Sequence, residues 1–497
     1  MKVLLINPPA RRLAGIRNVY FPIGLGYLAA SLEKAGFSAG LYNAENPREE
    51  LKELITGKYA ALTSEYEKYS KALKDDSHFV WKEIRYTIQK FQPDAVCIRA
   101  ATSNINCVQK IADIVKEYSR DCHVIIGGPH ATLAPAETLR YRNFDFIVRN
   151  EGEVTIVELC RLLENGKKEV NRKNLEKING LSFRQGKAVI HNKPRDFIKD
   201  INTLPFPARH LSLYPELYSK NDWGCIVGGR GCPFNCGFCS ANLQWGRMLR
   251  LRSVDNVLDE ITLVIKKYGS NEFFFWDDTF TANRQRTMDL CKRLLDEKIR
   301  ISWSCTTRVN VIDDELLSLM KKAGCNRIDI GVESGSERML KLINKRIDLN
   351  QVETAVKLIN KHRIMCNAFF MVGFPDETIE DVKKTAELIK RIKSHVCLSI
   401  FTPYPGCDLY DRTVELGMLP KEMDWSTISH HSPENHFVKN IKKEDFRKIV
   451  GMMIDLVDRH NDSFSMKMAY VMSKLGFYIK NPFAFAKEVK TYLKSRF

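Results

Sequence analysis

Short apolar runs alternate with amphipathic segments along most of this 497-residue chain, and this alternation constrains the fold more than any other feature. In the first third, strand-like runs lie at 2–6, 37–42, 95–100, 124–126 and 144–148, with helical patterns between or after them. Strands that are separated by helices pair in parallel through crossover connections. The pattern therefore predicts a doubly wound α/β domain, in which helices cover both faces of a parallel sheet.

The same alternation resumes after Trp223 and continues to about residue 401. Six strand–helix units in this stretch predict a partial (β/α)6 barrel. Since single hydrophobic cores stop growing near roughly 250–300 residues, the chain should contain more than one domain. We predict a first domain over 1–165 with a helical insertion at 46–92, a linker with a hairpin over 166–220, a barrel over 221–410 and a helical carboxyl-terminal segment over 411–497.

Three cysteines, Cys232, Cys236 and Cys239, lie within the glycine-rich run 229–240. A structural metal site fills all four positions with protein ligands, so a set of three thiolates leaves one position open. The glycines and Pro233 allow the tight turns that wrap a cuboidal cluster. The spacing therefore predicts an iron–sulfur cluster with one open iron, and the alternatives are a zinc knuckle or a chance grouping.

The charge and the cysteine content narrow the setting but not the substrate. The formal net charge of +17 and the isoelectric point near 9.2 allow binding to nucleic acid, an anionic membrane or an acidic substrate. No apolar run is long enough to span a bilayer. The 14 cysteines are scattered and no signal peptide precedes them, which indicates reduced thiols and a cytoplasmic protein.

The loops that follow the strands of the first domain are candidates for ligand binding, because ligands of doubly wound sheets lie beyond the carboxyl ends of the strands. Gly127 and Gly128 open one of these loops and would let a flat ligand approach the backbone closely. The residues that we expect to bind a ligand at this edge are Asn7, Pro8, Pro9, Ala101, Thr102, Ser103, Gly127, Gly128, His130, Thr132, Glu151 and Gly152.

Polar residues also follow the strands of the predicted barrel, at the end where barrel active sites lie. Asp278 and Glu333 could accept hydrogen bonds from an ammonium group or from ribose hydroxyls, and Arg308 could form a forked pair with a carboxylate. Such a mixture suits a zwitterionic ligand. The residues that we expect to contact it are Phe238, Asp277, Asp278, Arg308, Glu333, Ser334 and Asn367.

The cysteine loop and these strand ends resemble the radical S-adenosylmethionine (SAM) enzymes. The matching runs are FWDDTF at 275–280, TR at 307–308, GVESG at 331–335, MVGFP at 371–375 and TPYPG at 402–406. The amino-terminal loops NPP, GGPHAT and EGE resemble the flavodoxin-like cobalamin-binding domain that precedes many radical SAM domains. The chain is thus similar to the cobalamin-dependent, class B radical SAM enzymes, a group related to the anaerobic magnesium-protoporphyrin ester cyclases. Cys407 departs from the family pattern, which usually has threonine there.

The resemblance implies three cofactors. A 4Fe–4S cluster on the three cysteines would bind SAM at its open iron, and cobalamin would lie on the first domain. The Asp-x-His-x-x-Gly motif that supplies a cobalt ligand in other cobalamin domains is absent. We therefore expect no histidine on cobalt and interpret His130 as a contact of the loop or of the nucleotide tail.

The resemblance also implies a reaction, the methylation of an unactivated carbon through a 5′-deoxyadenosyl radical and methylcobalamin. The alternatives are a radical cyclase or rearrangement enzyme on the same cofactors, and a non-catalytic corrinoid or electron-transfer carrier. The implied partners are a small-molecule or lipid-like substrate and an external low-potential electron donor. No nucleic acid is expected, because the chain lacks the Cys-bearing amino-terminal domain and the small β-rich RNA-binding end of the methylthiotransferases.

The carboxyl-terminal segment has a helical pattern and two further features. His430, His431 and His436 lack the spacing of a helix-borne metal site, which favours surface or substrate-lid roles. From about Ser465 onward, basic residues interleave with aromatic ones. This tail predicts either contact with an anionic membrane or a terminal helix packed on the barrel, and the sequence leaves both open.

Overall fold

The computed structural model describes residues 1–16, 20–46, 65–166, 169–420, 423, 425, 428, 430–463 and 466. The tail beyond Met466 and residues 47–64 of the predicted insertion lie outside this range, so the predictions for them stay open. Among the described residues, no helix is both long enough and apolar enough to cross a membrane.

The amino-terminal part forms a seven-stranded sheet in the order β2-β1-β3-β4-β5-β6-β7. The first five strands are parallel, and this order is that of flavodoxin-like sheets. The predicted linker hairpin is present, but it extends this sheet, because β6 pairs antiparallel with β5. The strands are β1 (Lys2–Asn7), β2 (Ser38–Asn43), β3 (Ala95–Arg99), β4 (His123–Gly127), β5 (Phe146–Val148), β6 (Leu181–Gln185) and β7 (Ala188–His191).

Helices cover this sheet, as the alternation predicted. α2 packs against α8, and α4 packs against α5. The strand β1, which lies between β2 and β3, has four consecutive residues with no exposed surface, as expected for a parallel strand that is buried on both faces. The helices are α1 (Ala10–Leu13), α2 (Ile23–Lys34), α3 (Glu65–Lys74), α4 (Phe79–Phe91), α5 (Ile105–Tyr118), α6 (Pro129–Leu133), α7 (Pro135–Thr138), α8 (Glu153–Glu164) and α9 (Arg172–Leu175).

The second sheet has six parallel strands in the order β8-β11-β12-β13-β14-β15, which is the predicted open barrel. A separate two-stranded ribbon of β9 and β10 lies beside it. The strands are β8 (Cys225–Ile226), β9 (Gly229–Arg230), β10 (Arg250–Leu251), β11 (Glu272–Phe275), β12 (Ser302–Thr307), β13 (Cys325–Glu333), β14 (Met365–Val372) and β15 (His395–Ile400).

The barrel helices follow their strands in turn, and the carboxyl-terminal segment is helical as predicted where it is described. Its long last helix, α18, packs on β15 and α16 through buried Phe446, Val450, Met453 and Val457, which recur at helical spacing. The helices are α10 (Ala241–Trp245), α11 (Val254–Tyr268), α12 (Arg284–Asp296), α13 (Asp314–Lys322), α14 (Glu337–Leu342), α15 (Leu349–Lys361), α16 (Ile379–Arg391), α17 (Asp408–Glu415) and α18 (Lys443–Asn461).

Candidate functional site

A cavity of about 330 Å3 opens at the carboxyl ends of β3, β4 and β5. Its lining is mainly apolar and includes Leu25 and Leu28 of α2 and Ile156 of α8. Gly127 and Gly128 line it through backbone alone. A Cβ atom on Gly128 would lie 2.9 Å from the Ala100 carbonyl oxygen, and its φ of +99° also disfavours any other residue. The local backbone therefore explains why a glycine occupies this position.

Five of the twelve residues predicted at this edge line the cavity, namely Gly127, Gly128, Thr132, Glu151 and Gly152. The other seven lie at the same edge of the sheet but outside the described lining. Several of them contact neighbouring protein groups instead. The Asn7 side-chain amide donates to Asn43 Oδ1 at 2.8 Å, and the Ala101 amide donates to Asn104 Oδ1 at 2.8 Å. The seven residues are Asn7, Pro8, Pro9, Ala101, Thr102, Ser103 and His130.

His130 is buried in protein rather than exposed to this cavity. Its Nδ1 lies 3.3 Å from Thr102 Oγ1, and its ring meets that of Trp425 edge to face at 5.7 Å between centroids. Burial lowers the pKa of His130 to about 4, so the imidazole is neutral at physiological pH. Trp425 in turn donates from Nε1 to Glu137 Oε1 at 2.6 Å. The predicted loop residue thus anchors the carboxyl-terminal segment to the first domain.

Arg99 is a cavity residue that the sequence analysis missed. It is the last residue of β3, its side chain is exposed into the cavity, and no described residue forms a hydrogen bond or ion pair with its guanidinium. The surrounding protein lowers its pKa through desolvation, while the Glu45 carboxylate opposes this shift. A charged residue at the carboxyl end of a buried strand was the signal available in the sequence.

The three cysteines lie on the loop between β9 and α10, with their side chains half-buried or exposed. Among the residues that the structure describes, no three His, Cys, Asp or Glu side chains converge tightly enough to hold a single metal ion. A cuboidal cluster makes a different demand, because its cysteines bind separate irons. Gly231 permits the entry to the loop, since its φ is +93° and a Cβ atom there would lie 2.3 Å from the Met248 carbonyl oxygen.

Arg308 braces the cysteine loop. Its Nη1 donates to Cys236 Sγ at 3.1 Å, its Nη2 donates to the Lys345 carbonyl oxygen, and its guanidinium stacks 3.9 Å above the Phe234 ring. Its Nε donates to Asn310 Oδ1 at 3.3 Å. Three of its five N–H donors are engaged in this way, and the forked pair of Arg308 with a ligand carboxylate stays a prediction.

Glu333 lies at the end of β13 in an unusual backbone conformation, with a φ of +71°. Its Oε1 accepts a hydrogen bond from Lys345 Nζ at 2.7 Å, and both side chains are nearly buried. Non-glycine residues held at positive φ cost free energy and cluster at functional sites. The neighbouring Ser334 is fully buried, and its Oγ lies 3.2 Å from Thr385 Oγ1, so it faces protein.

The two adjacent aspartates at the end of β11 have different surroundings. Asp277 is buried, and its Oδ1 accepts from the Gly228 amide at 2.6 Å. Asp278 has an exposed side chain, yet the surrounding protein and the charge of Asp277 raise its pKa to about 6. Asn367 lies inside the open barrel and donates to Asp329 Oδ1 at 2.9 Å. Phe238 is half-buried in the cysteine loop, 6.2 Å from the Phe374 ring. Of these residues, Asp278 is the one with a free carboxylate facing open space.

A tyrosine–histidine pair lies at the end of β15, beside the cysteine loop. The Tyr404 hydroxyl is 2.5 Å from His430 Nε2, and His430 Nδ1 is 3.4 Å from Thr402 Oγ1. Burial lowers the pKa of His430 to about 4, and the pKa of Tyr404 is raised by burial and then by the thiols of Cys407 and Cys239. His430 is half-buried, so both the surface and the substrate-lid interpretations stay predictions. No spacing in the sequence could have paired these two residues.

A single turn joins the cavity to the cysteine loop. Glu151 follows β5, lines the cavity, and accepts hydrogen bonds from Arg230 and Arg250 at 2.7 and 2.8 Å. Arg230 stands two residues before Cys232. The Glu151 carboxylate, which we predicted to bind a ligand, is therefore bonded to two arginines of the β9–β10 ribbon.

Two protein-family models match this chain. The model of the radical SAM superfamily matches residues 226–389, which include the cysteine loop and the barrel strands β8 and β11 to β14. The model of the B12 binding domain matches residues 72–160, which include the two glycines of the cavity. The matches therefore fall on the two regions described above.

Among known proteins, an uncharacterized methyltransferase of Pyrococcus horikoshii is 32% identical over 458 residues, which cover 90% of this chain and 91% of the relative. The anaerobic magnesium-protoporphyrin IX monomethyl ester cyclase of Rubrivivax gelatinosus is 27% identical and covers 99% of this chain and 81% of the relative. Among solved structures, the radical SAM methyltransferase TsrM of Kitasatospora setae, with tryptophan substrate and a SAM analogue bound, has a TM-score of 0.64 at 16% identity. That alignment covers 83% of this chain and 76% of TsrM, and it shows a shared fold.

Proposed function

Since this chain belongs to the cobalamin-dependent radical SAM enzymes, we propose that it transfers a methyl group to a carbon atom of a small-molecule substrate. The enzyme's cofactors are a 4Fe–4S cluster, SAM and cobalamin. When bound, they supply hydrogen-atom abstraction from an unreactive carbon and a methyl group for that carbon, while the protein supplies position and excludes water. The radical SAM domain sets aside the non-catalytic carrier.

One observation carries this proposal: the turn at 150–153 lines the cavity and is bonded to both flanks of the cysteine loop. Two cofactor sites that share a wall can deliver a hydrogen-abstracting group and a methyl group to the same substrate atom. Proximity of this kind lowers the barrier of a two-component reaction substantially.

The cysteine loop fits a cluster and SAM. Cys232, Cys236 and Cys239 stand on one loop, and Arg308 holds that loop from behind. We assign contact with SAM to Asp278, which has an exposed carboxylate, and to Phe238, Glu333 and Asn367. Glu333 and Asn367 also bond to protein, through Lys345 and Asp329, so we assign their contact with SAM to the remaining carboxylate and amide oxygens. We assign a supporting role to Asp277, Arg308 and Ser334.

The cavity of the first domain fits cobalamin. Its apolar walls and glycine backbone suit a bulky, flat ligand, and a Cβ atom on Gly128 would strain the wall. The unpaired Arg99 guanidinium offers donors to the amide and phosphate oxygens of such a ligand. Asn7, Pro8, Pro9, Ala101, Thr102 and Ser103 lie at the same edge and are proposed contacts for the parts of the ligand outside the cavity.

The substrate site is proposed at Tyr404 and His430. The neutral imidazole of His430 can accept the hydrogen of the Tyr404 hydroxyl, which leaves the tyrosine oxygen as an acceptor for a substrate hydroxyl or amine. A low-potential electron donor remains the other proposed partner. Contact of the basic tail with an anionic membrane is also a proposal, to be tested by liposome flotation with and without residues 465–497.

Product analysis tests the reaction. The full chain, reconstituted anaerobically with iron, sulfide and cobalamin, is incubated with SAM and a strong reductant. Transfer of the methyl group of SAM to reduced cobalamin would yield S-adenosylhomocysteine, and one-electron cleavage of a second SAM, followed by uptake of a hydrogen atom, would yield 5′-deoxyadenosine, so we expect both products. The variant with all three cysteines changed to alanine is the control and should yield no 5′-deoxyadenosine.

A radical cyclase is the second candidate, favoured by the alignment with the ester cyclase, which spans 99% of this chain. A cyclase has no need of the methyl group of SAM. The formation of 5′-deoxyadenosine without any S-adenosylhomocysteine would therefore overturn methyl transfer and support cyclisation.

A further inference from the structure

The cysteine loop is held from outside the barrel by the turn that follows β5. On one flank, Glu151 Oε1 accepts from Arg230 Nη1 at 2.7 Å, and Glu153 Oε1 accepts from Arg230 Nη2 at 2.5 Å. Arg250 Nη1 lies 2.8 Å from both oxygens of Glu151. Arg230 and Arg250 face each other across the β9–β10 ribbon. The ribbon that leads into Cys232 is thus fixed by two carboxylates of the other domain.

These four side chains form a closed group of buried charges. Each of them is 7% exposed or less, and two carboxylates balance two guanidinium groups. Removing one partner from a buried ion pair leaves an uncompensated charge, so separating these groups is strongly unfavourable. The contact is therefore a rigid link between the domains and not a chance surface pair.

The opposite flank of the loop is held by the same turn. Asn150 adopts a φ of +57°, a conformation that asparagine tolerates better than most residues. Its backbone N–H donates to Thr132 Oγ1 at 2.9 Å. Its side-chain Nδ2 donates to the carbonyl oxygens of Leu243 and Gln244 at 2.9 and 3.3 Å. Both acceptors lie in α10, shortly after Cys239. The turn therefore holds the chain before the first cysteine and after the last.

The same residues form a wall of the cavity. Asn150, Glu151, Gly152 and Glu153 line it from the first domain, and Arg230, Gln244 and Trp245 line it from the two flanks of the cysteine loop. A ligand that fills the cavity contacts both sides of this link. It also displaces water from the wall, which strengthens the charge pairs behind it.

We propose that Glu151 and Glu153 are positioning residues that couple the occupancy of the corrinoid cavity to the order of the cysteine loop. This inference rests on the proposed function, because it takes cobalamin as the ligand of the cavity and a 4Fe–4S cluster as the ligand of the loop. Coupling between two binding sites is reciprocal. Cobalamin therefore raises the affinity of the loop for the cluster, and the cluster raises the affinity of the cavity for cobalamin. We expect the first of these gains to be measurable as a slower loss of iron.

The test measures the rate at which iron passes from the reconstituted full chain to a colorimetric iron chelator, with and without bound hydroxocobalamin. In the unsubstituted protein we expect cobalamin to slow iron release by about fivefold or more, the lower range of measured couplings. In Glu153→Gln, which loses one charged contact to Arg230, the ratio of the two rates should fall toward one.

A matched control lies in the same helix. Glu158 of α8 pairs with Arg195 and has no described contact with the cysteine loop. Glu158→Gln removes an ion pair from the same helix and should leave the ratio unchanged. Because the Glu158 pair is more exposed than the Glu153 pair, thermal melts of both variants are measured as well, and the proposed link predicts a lower ratio in Glu153→Gln at temperatures where both variants are fully folded.

A ratio of one in the unsubstituted protein overturns the coupling, while the proposed function stands as long as cluster and cobalamin each bind. Failure of the protein to bind either group would instead overturn the proposed function. If Glu153→Gln does not fold, the uncharged Asn150→Ala takes its place and should also lower the ratio. An unchanged ratio in whichever variant folds overturns the assignment of the turn.

Discussion

The two cofactor regions of this enzyme are built in different ways. The first domain has an open cavity, which is lined largely by apolar side chains and by the backbone of Gly127 and Gly128. At the carboxyl ends of the barrel strands, polar side chains bond to one another instead: Arg308 bonds to Cys236, and Glu333 bonds to Lys345. A bulky ligand needs a preformed surface, whereas three thiols on a loop need that loop held in position. The difference indicates that substitutions should act on ligand fit in the first region and on loop geometry in the second.

The largest expected effect is a complete loss of the cluster from the barrel while the first domain still binds cobalamin. Changing Cys232, Cys236 and Cys239 together to alanine should abolish iron binding after anaerobic reconstitution, because no protein ligand to the cluster remains. Cobalamin binding should persist, since the cavity has its own walls. Iron analysis and the visible absorbance of bound cobalamin after gel filtration check both points. Retention of about four irons per chain would contradict the assignment of the cluster.

Gly128→Ala should have the opposite effect, a loss of cobalamin affinity with the cluster retained. The added Cβ would lie 2.9 Å from the Ala100 carbonyl oxygen at a φ of +99°, so the cavity wall must shift. We expect cobalamin affinity to fall at least tenfold, about 1.4 kcal/mol, with the cluster retained. Gly36→Ala is the matched control, because its φ is +92° but no atom lies within 4 Å of the added Cβ. Equal losses of cobalamin in both variants would show that backbone strain alone is responsible.

Arg99→Met tests whether the charged side chain in the cavity contributes to cobalamin binding. The Arg99 side chain is exposed into the cavity, so its replacement should change the melting temperature of the ligand-free form only slightly. The same change removes hydrogen-bond donors from the cavity and should weaken cobalamin binding by about tenfold, or 1.4 kcal/mol. Thermal melts and equilibrium binding give the two readouts. A variant that binds cobalamin as tightly as the unsubstituted protein would exclude Arg99 from the site.

The smallest expected effect concerns a buried carboxyl group on the barrel side. Glu377 follows β14, and burial raises its pKa to about 8. A carboxyl whose pKa is higher in the folded protein than in the unfolded chain stabilises the fold while it is protonated. That stability is complete below the unfolded pKa near 4.5 and is lost as the pH rises through about 8.

The melting temperature of the unsubstituted protein should therefore fall from pH 6 to pH 9 by more than that of Glu377→Gln. The expected difference is about 2–4 °C for each kcal/mol involved. Glu380→Gln, at an exposed position of the next helix, is the control and should follow the unsubstituted protein. Parallel curves for all three proteins would contradict a buried titrating group at this position.

The sequence was sufficient to predict the fold because the architecture depends on periodicity. β1 was predicted at 2–6 and spans Lys2–Asn7, and β3 was predicted at 95–100 and spans Ala95–Arg99. The hairpin of β6 and β7 was also predicted from its turn. Its pairing with β5 was not, because strand partners are chosen by packing between segments distant in sequence.

The site was predictable in place but not in detail. Motifs located the cavity loops and the barrel strand ends, yet Glu151 bonds to two arginines and Arg308 bonds to the cysteine loop. A motif predicts the position of a charged side chain in the fold. It does not predict the bonding partner, because the partner belongs to another helix, strand or loop. Arg99 was missed for a related reason: it was taken as part of a strand, and its exposure into the cavity depends on where β3 ends.

The central claim is that the two cofactor sites face one another across the turn at 150–153. The most direct measurement is electron paramagnetic resonance of the full chain loaded with Co(II) cobalamin and a reduced cluster. The account predicts that reduction of the cluster broadens the Co(II) signal or speeds its relaxation, and that this change is absent when the three cysteines are replaced by alanine. Two independent, unperturbed signals from a fully loaded protein would contradict the account.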